Sequence, residues 1–394
     1  MDGPMTGTGL AGVTVVRAGT TVLRDLTVQA ADGELMVVLG SSGSGKSTLL
    51  RVLAGLEQPR AGRVVIRGRD VTDLPPPKRR VSMVFEASAL IPFLDVSRNL
   101  GWGLRAQRLP EADVQARVSD RARRLGLGGL LSRRPDQISG GERSLVGIGH
   151  AVVATPDVFL FDEPLGDLDA MQRPDVRRQI VDVVRSSGAT AFYVTHDQAE
   201  GLAVADRVAL LHEGAIVQSG RPMELYARPV DLVVAGSVGA PAIGLLPARL
   251  TVADGLAGFR VGARTLPWWR PLPDPLSGHV GRELVLGFRA EDVLPADGGH
   301  DADAVALDAM VTDVEYTGQR NVVTVTVDAL PGDPRDALSA AGRSGGATLR
   351  SFFPPRAVVR PGDLVRVAVD GSRAHVFDAG TGAALWHPDG GTSP

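Results

Sequence analysis

Residues 35 to 54 constrain the fold more than any other stretch of this chain. An apolar run, Leu35-Met-Val-Val-Leu39, leads into Gly40-Ser-Ser-Gly-Ser-Gly-Lys-Ser-Thr48, and helix-forming residues continue to Ala54. Five successive apolar residues suit a strand buried on both faces, as in a parallel sheet. Gly40-x4-Gly45-Lys46-Ser47 has the spacing of a phosphate-binding loop. Its glycines let backbone N–H groups curl around phosphate oxygens, its lysine reaches between phosphates, and its serine hydroxyl suits Mg2+. A helix starting there turns its partially positive end toward the same anion. Lysine is scarce, occurring only at 46 and 78 among 42 basic residues. A position that keeps lysine where arginine is the rule calls for a compact ammonium, not a wide planar fork. Strand, loop and helix in this order predict nucleoside triphosphate binding through Gly40, Ser41, Ser42, Gly43, Ser44, Gly45, Lys46, Ser47 and Thr48. Taken alone, the loop fits a kinase, a GTPase or a transport ATPase.

At 394 residues the chain exceeds one compact core, and two or three domains are expected. Hydrophobic and charged fractions of 44% and 22% are those of a soluble globular protein. A net charge of −3 argues against a nucleic-acid partner, which calls for a basic excess. The absence of cysteine excludes disulfides and thiolate chemistry and fits a reducing compartment. No apolar run approaches the roughly 18 residues of a membrane-spanning helix. The first thirty residues lack the basic start and apolar core of a secretory signal. Membrane association is therefore expected through a protein partner.

Antiparallel β structure is expected over 11 to 39, with strands at 62 to 67 and 80 to 85. From about 87 to 155 the texture is arginine-rich and helical, with an amphipathic helix over 117 to 124. Val158-Phe-Leu-Phe161 and Ala191-Phe-Tyr-Val-Thr195 read as buried strands separated by a helix. Alternating strand and helix predicts a mainly parallel sheet that binds ligands beyond the carboxyl ends of its strands. The phosphate loop, Asp162 and His196 all fall just past such ends. After about residue 238 prolines recur among short β runs at 283 to 289, 309 to 316, 321 to 327 and 363 to 369, the spacing of a small barrel. Two domains follow, 1 to 238 and 239 to 394, joined near Gly236 to Pro241.

Asp162 and Glu163 end an apolar strand. Such a pair serves bland purposes such as helix capping, but beside a phosphate loop Asp162 is placed for the Mg2+ shell. Glu163 is placed to polarise the water that attacks the γ-phosphate. His196 would touch that phosphate. Ser139-Gly140-Gly141-Glu142 precedes a helix and reads either as a simple N-cap or as a second anion-binding surface. In a chain that already has one phosphate loop, the second reading implies two chains sharing each nucleotide.

Together, the phosphate loop, Ser139-Gly-Gly-Glu142, Asp162-Glu163, Leu168-Asp169 and His196 resemble the nucleotide-binding subunit of ABC transporters, nearly end to end. Leu74-Pro-Pro-Pro-Lys-Arg-Arg80 leading to Met83-Val-Phe85 looks like the approach to that family's Q-loop. Thr195-His-Asp-Gln-Ala-Glu200, Ala205-Asp-Arg207, Gln218-x-Gly220 and Glu224-Leu-Tyr-Ala-Arg-Pro229 resemble the importer ATPases serving maltose and related carbohydrates. Residues 241 to 247 and Leu286-Gly-Phe-Arg-Ala-Glu291 look like that subgroup's C-terminal OB-type (TOBE) domain. The resemblance implies an α/β P-loop NTPase domain with an antiparallel β subdomain and a helical subdomain over about 87 to 155, followed by a small all-β OB-like domain. It implies two copies, identical or not, closing head to tail on two Mg-ATP, at the cytoplasmic face of the cell membrane. It further implies transmembrane permease subunits, reached through residues 86 to about 105 with the apolar run 89 to 94 as a docking surface, and indirectly an extracytoplasmic solute-binding protein. Carbohydrate or glycerol-phosphate-like solutes are the first expectation, polyamine or ferric iron the alternatives.

Several positions depart from the family. The Q-loop glutamine is Glu86, which still offers Mg2+ an oxygen and stands as a catalytic and metal-ligand candidate, and the signature glutamine is Glu142. The aromatic that stacks on adenine would fall near Ala18, where none is present, with an expected loss of about one to two powers of ten in ATP affinity. Leu165-Gly-Asp-Leu-Asp169 differs from the usual D-loop. These departures motivate a competing class, a weakly or non-hydrolysing regulatory subunit. Chromosome-maintenance ATPases share a Gly-Gly-Glu signature but insert long coiled coils, for which the interval here is too short. A P-loop kinase or GTPase needs neither the Ser139 turn nor the C-terminal β domain.

Overall fold

The computed structural model describes residues 6–85, 90–166, 168–268, 271–296, 303–327 and 347–388. The chain forms two compact units, residues 1–222 and 223–394.

The first unit begins with the antiparallel strands β1 (Thr8–Arg17) and β2 (Thr20–Ala30). Ala18 and Gly19 turn between them with φ of 45° and 83°, the left-handed pair that a tight hairpin favours. β3 (Leu35–Leu39) is buried at all five positions and runs through the loop into α1 (Lys46–Ala54). β4 (Ala61–Ile66) and β5 (Arg69–Asp70) complete a four-stranded sheet of order β2-β1-β4-β5. After β6 (Val81–Val84) come three helices, α2 (Val96–Ala106), α3 (Glu111–Arg124) and α4 (Gly140–Val153). They share an apolar cluster that includes Leu100, Leu104, Val114, Val118 and Val146. Val114, Val118 and Ala122 are the buried residues of α3, a spacing of four that leaves its arginines on the outer face. Within the run from 89 to 94, Leu90 packs against this cluster and Phe93 is exposed.

β7 (Val158–Asp162), α5 (Arg173–Ser187), β8 (Thr190–Thr195), α6 (Gln198–Val204), β9 (Arg207–His212) and β10 (Ala215–Gly220) finish the unit. The second sheet has the order β10-β9-β3-β8-β7-β6, parallel from β9 to β6 with β10 antiparallel at one edge. β7 and β8 are apolar on both faces because helices and the first sheet cover them. Leu49, Leu50, Val52 and Leu53 of α1 join one core with Met36, Val38, Leu160 and Val194 of this sheet and Leu10, Leu23 and Val64 of the other. α1 is thus clamped from both sides, and its N-terminus lies at the carboxyl end of central strand β3, where open sheets of this kind bind ligands.

The second unit contains the short helices α7 (Pro222–Ala227) and α8 (Leu232–Ser237), then β11 (Gly244–Ala253), β12 (Leu256–Val261), β13 (Arg264–Trp268), α9 (Asp274–Ser277), β14 (Glu283–Phe288), β15 (Val293–Pro295), β16 (Val305–Tyr316), β17 (Asn321–Val327), β18 (Thr348–Phe353), β19 (Leu364–Val369), β20 (His375–Asp378) and β21 (Ala384–Trp386). The described strands pair antiparallel throughout. Their inward side chains, among them Phe259, Trp268, Leu286 and Val325, form a single core.

The division falls after Pro222, not near 238 as the composition predicted. Leu232 and Ala235 of α8 pack with Ile243, Leu245, Val285 and Phe377. Buried Arg289 donates to the carbonyls of Tyr226, Ala235 and Val238 at 2.7, 3.2 and 2.6 Å. Glycine and proline at 236 to 241 mark a turn inside the second unit, not a linker.

Candidate functional site

The loop between β3 and α1 is shaped by backbone that only glycine adopts without strain. Gly43 and Gly45 have φ of 79° and 108°, and a Cβ on Gly45 would lie 2.7 Å from Leu23 Cδ2. At Gly40 a Cβ would meet the Leu211 carbonyl oxygen at 2.4 Å. Strands β2 and β9 therefore press the loop into a cradle. The helix that follows has no side-chain cap and no acidic residue in its first turn, which leaves its positive end available to an anion. Ser44 Oγ is buried without a hydrogen-bond partner. A buried hydroxyl of that kind is costly unless a ligand satisfies it.

Lys46 Nζ donates to the carbonyl oxygens of Gly40 and Ser41 at 2.8 and 3.0 Å. Burial lowers the pKa of this ammonium, and the carboxylates of Glu163 and Asp162 partly offset that shift. The ammonium rests on its own loop, where phosphate oxygens would compete for it. One residue further, Ser47 Oγ donates to Asp162 Oδ1 at 3.0 Å. Pairing of β7 between β6 and β8 carries Asp162 to that hydroxyl from more than a hundred residues away.

Glu163 follows with φ of 45°, and its N–H donates to the Val194 carbonyl at 3.0 Å. A branchless glycine would be at ease there; a glutamate is strained, a condition that clusters at functional sites. His196, just past β8, shares a 2.7 Å hydrogen bond between its Nδ1 and Glu163 Oε2. A carboxylate only accepts, so the Nδ1 carries the proton in this contact.

Ser42, Gly43, Gly45, Lys46, Ser47, Thr48, Glu163 and His196 line one cleft of about 510 Å³; Gly40, Ser41, Ser44 and Asp162 are not on its walls, and Asp162 reaches it through Ser47. Two further lining residues, Arg17 and Val22, come from the hairpin of β1 and β2. Arg17 stands next to Ala18, where no aromatic is present, and no motif marks Val22. Ser47 and Asp162 converge as a hydroxyl and a carboxylate, hard oxygen donors of the type Mg2+ takes. That donor set, the glycine cradle and the orphaned Ser44 hydroxyl fit a metal-bound triphosphate.

Ser139, Gly140, Gly141 and Glu142 do not line this cleft. They form the start of α4, where Glu142 N donates to Ser139 Oγ at 3.3 Å and Ser139 N donates to Glu142 Oε2 at 2.7 Å. This is a reciprocal capping box. The Ser139 N–H holds the Glu142 carboxyl below the ordinary glutamate value. A Cβ on Gly141 would fall 2.1 Å from Gln172 Oε1 at the start of α5, so glycine makes room for that amide. Gln172 lies outside the motif and is not visible in it, whereas the Ser139-x-x-Glu142 spacing is that of a capping box. Glu86 lies outside the described residues, as does Asp167 of the D-loop stretch.

A family model described as ABC transporter matches residues 23–166. The trehalose/maltose import ATP-binding protein MalK of Thermococcus litoralis is 36% identical over 393 residues, covering 97% of this chain and 100% of that protein. The sn-glycerol-3-phosphate import ATP-binding protein UgpC of Cereibacter sphaeroides is 39% identical over 369 residues, covering 93% and 96%. The diacetylchitobiose uptake system ATP-binding protein MsiK of Streptomyces coelicolor is 38% identical over 370 residues, covering 91% and 93%. Among solved structures, cbiO1 from Clostridium perfringens, part of the ABC transporter complex cbiONQ, superposes with a TM-score of 0.53 at 25% identity. It covers 56% of this chain and 90% of that one. With such a cleft and such relatives, the chain belongs to the ABC transporter family and has its P-loop ATPase fold. Within that family it is the ATPase subunit of an importer.

Proposed function

We propose that this subunit binds and hydrolyses Mg-ATP as a head-to-tail dimer and thereby drives uptake of a carbohydrate or glycerol-phosphate-like solute through separate transmembrane permease subunits. The solute class is supported by the relatives, which are named for trehalose and maltose, for sn-glycerol 3-phosphate and for diacetylchitobiose. No described helix is long and apolar enough to cross a membrane, which fits a peripheral subunit held at the cytoplasmic face by its permease. An extracytoplasmic solute-binding protein would act on the far side of that permease.

One observation carries the dimer: the cleft gathers Lys46, Ser47, Glu163 and His196, yet Ser139, Gly140 and Gly141 lie elsewhere on the same chain. A second copy brings its Ser139 turn to face the cleft and encloses the triphosphate. Lys46 leaves its loop carbonyls for the phosphate oxygens, and the amides of residues 42 to 48 supply further donors. Ser47 and Asp162 hold Mg2+, which when bound offsets the charge of the triphosphate oxygens. Glu163 accepts a proton from the attacking water, and His196 parts from Glu163 to contact the γ-phosphate. Positioning and electrostatic stabilisation carry most of the rate in such transfers.

The test is the assembly state of Glu163→Gln, which retains nucleotide without turnover. Saturated with Mg-ATP, alone or with its permease, it should sediment as a dimer and return to monomer when nucleotide is removed. A protein that stays monomeric under both conditions overturns the proposal.

A further inference from the structure

The family's adenine-stacking ring has no counterpart at Ala18, and among the described residues lining the cleft the only ring belongs to His196, which is engaged with Glu163. Arg17, however, lines that cleft as the last residue of β1. Its Nε donates to Glu57 Oε1 at 2.7 Å and its Nη2 donates to Glu57 Oε2. A two-point bond of this kind fixes the plane of the guanidinium and occupies one of its edges. These bonds lie in the plane of the guanidinium and so do not engage its faces. Glu57 is itself anchored, because its N–H and that of Leu56 donate to the Arg51 carbonyl in the turn that ends α1 at Gly55. Arg51 Nε also approaches Glu57 Oε2 at 3.8 Å. The helix that begins at the phosphate loop therefore ends in the brace that holds Arg17.

We propose that the guanidinium of Arg17, held flat by Glu57, is the platform on which the nucleobase of ATP stacks, with Val22 as its apolar neighbour. The inference rests on the cleft binding ATP as described above. With the triphosphate on the loop, Arg17 and Val22 are the lining residues left for the rest of the nucleotide. A guanidinium stacks on aromatic faces as a planar, weakly hydrated cation, and a lysine ammonium has no plane to offer. Glu57 occupies the Nε and Nη2 edge and neutralises the charge, so a phosphate would be left only the Nη1 side and a carboxylate neighbour. Base stacking needs only the face.

Binding of two probes separates these roles, Mg-ATP and the magnesium complex of inorganic tripolyphosphate, which has phosphates and no base. By calorimetry, Arg17→Ala should weaken Mg-ATP by roughly five- to a hundredfold, the range typical of losing one base-stacking side chain, and leave tripolyphosphate unchanged. Arg17→Lys should be as weak as Arg17→Ala, whereas Arg17→Tyr should return to within a few-fold of wild type. That rescue also shows that the loss is not a folding defect. Glu57→Gln, which acts only through Arg17, should weaken Mg-ATP by less than Arg17→Ala and have no effect in an Arg17→Tyr background. Equal loss of both probes in Arg17→Ala, or full affinity in Arg17→Lys, overturns the proposal. Lys46→Ala serves as the control for the site itself. If it binds Mg-ATP like wild type, the phosphate-loop reading fails and takes the stacking with it; if it loses both probes while Arg17→Ala keeps Mg-ATP, only the stacking fails.

Discussion

Two helices of the first unit begin with glycine-rich turns, and they are built in opposite ways. α1 starts at Gly45 with no capping side chain and no acid in its first turn. α4 starts at Ser139 with a complete capping box and Glu142 in its first turn. The first end keeps its donors and its positive dipole for a ligand. The second satisfies two amides with its own side chains and places a negative charge where an anion would go. Sequence motifs make the two ends look like equivalent phosphate sites. The structure distinguishes them: one end keeps its donors beside buried Lys46 and strained Glu163, and the other meets its own; on the proposed reading the first is the primary site and the second adds to a site already filled.

Breaking α1's end should have the largest effect. Lys46→Ala removes the ammonium that bridges loop and phosphate, and Mg-ATP affinity should fall more than a hundredfold in calorimetry with the melting transition still cooperative. If ATP still binds nearly as well, the contrast between the two ends is wrong. Glu163→Gln should keep Mg-ATP affinity and slow phosphate release at least a hundredfold; turnover at the wild-type rate would remove Glu163 from the chemistry. At α4 the effects move from binding to stability. Ser139→Ala loses the cap and should cost about 1 kcal/mol in denaturant unfolding. Loss of nucleotide binding by protein held dilute enough to stay monomeric would show that this turn serves the same protomer's cleft.

Glu142→Gln gives the smallest effect and the sharpest test of why the acid is there. Glutamine can still reach back to the Ser139 N–H, so the loss at neutral pH should stay within about 1 kcal/mol, the usual worth of a charge at a helix end. The folded-state pKa of Glu142 lies below its ordinary value of 4.5. Its ionised form therefore stabilises the fold above that value, and this contribution is lost as pH falls through the lower folded value. The glutamine variant should lack this part of the acid-side decline in a pH series of melting curves. An unchanged slope would mean that the carboxylate charge does nothing for the cap.

Local contiguity decided what the sequence revealed. Residues 40 to 48 and Asp162-Glu163 stand in unbroken motifs whose chemistry needs neighbours in order, and the buried runs at 35 to 39, 158 to 161 and 191 to 195 announce parallel strands by lacking any polar face. The Ser47 to Asp162 and His196 to Glu163 bonds follow once those strands are side by side. The Arg17 to Glu57 pair does not follow, because its partners lie 40 residues apart, one ending β1 and the other in the turn after α1, and neither belongs to a motif. The second unit's claim on 223 to 238 was equally hidden. It depends on Arg289 reaching three carbonyls and on α8 fitting a pocket of Val285 and Phe377, while proline and glycine at 236 to 241 imitate a linker. The capping role of Glu142 was legible in principle, since serine followed three residues later by glutamate before an apolar run is a helix-start pattern.

Lys46 also makes the chain unusually simple to follow with amine chemistry. Of its two side-chain amines, Lys78 is open to solvent and Lys46 is buried. Beside the α-amine, an acylating reagent thus meets one exposed and one sheltered side-chain handle, and intact mass counts how many have reacted. Protection of the second by nucleotide would report occupancy of the cleft without a label, a mutation or a coupled assay.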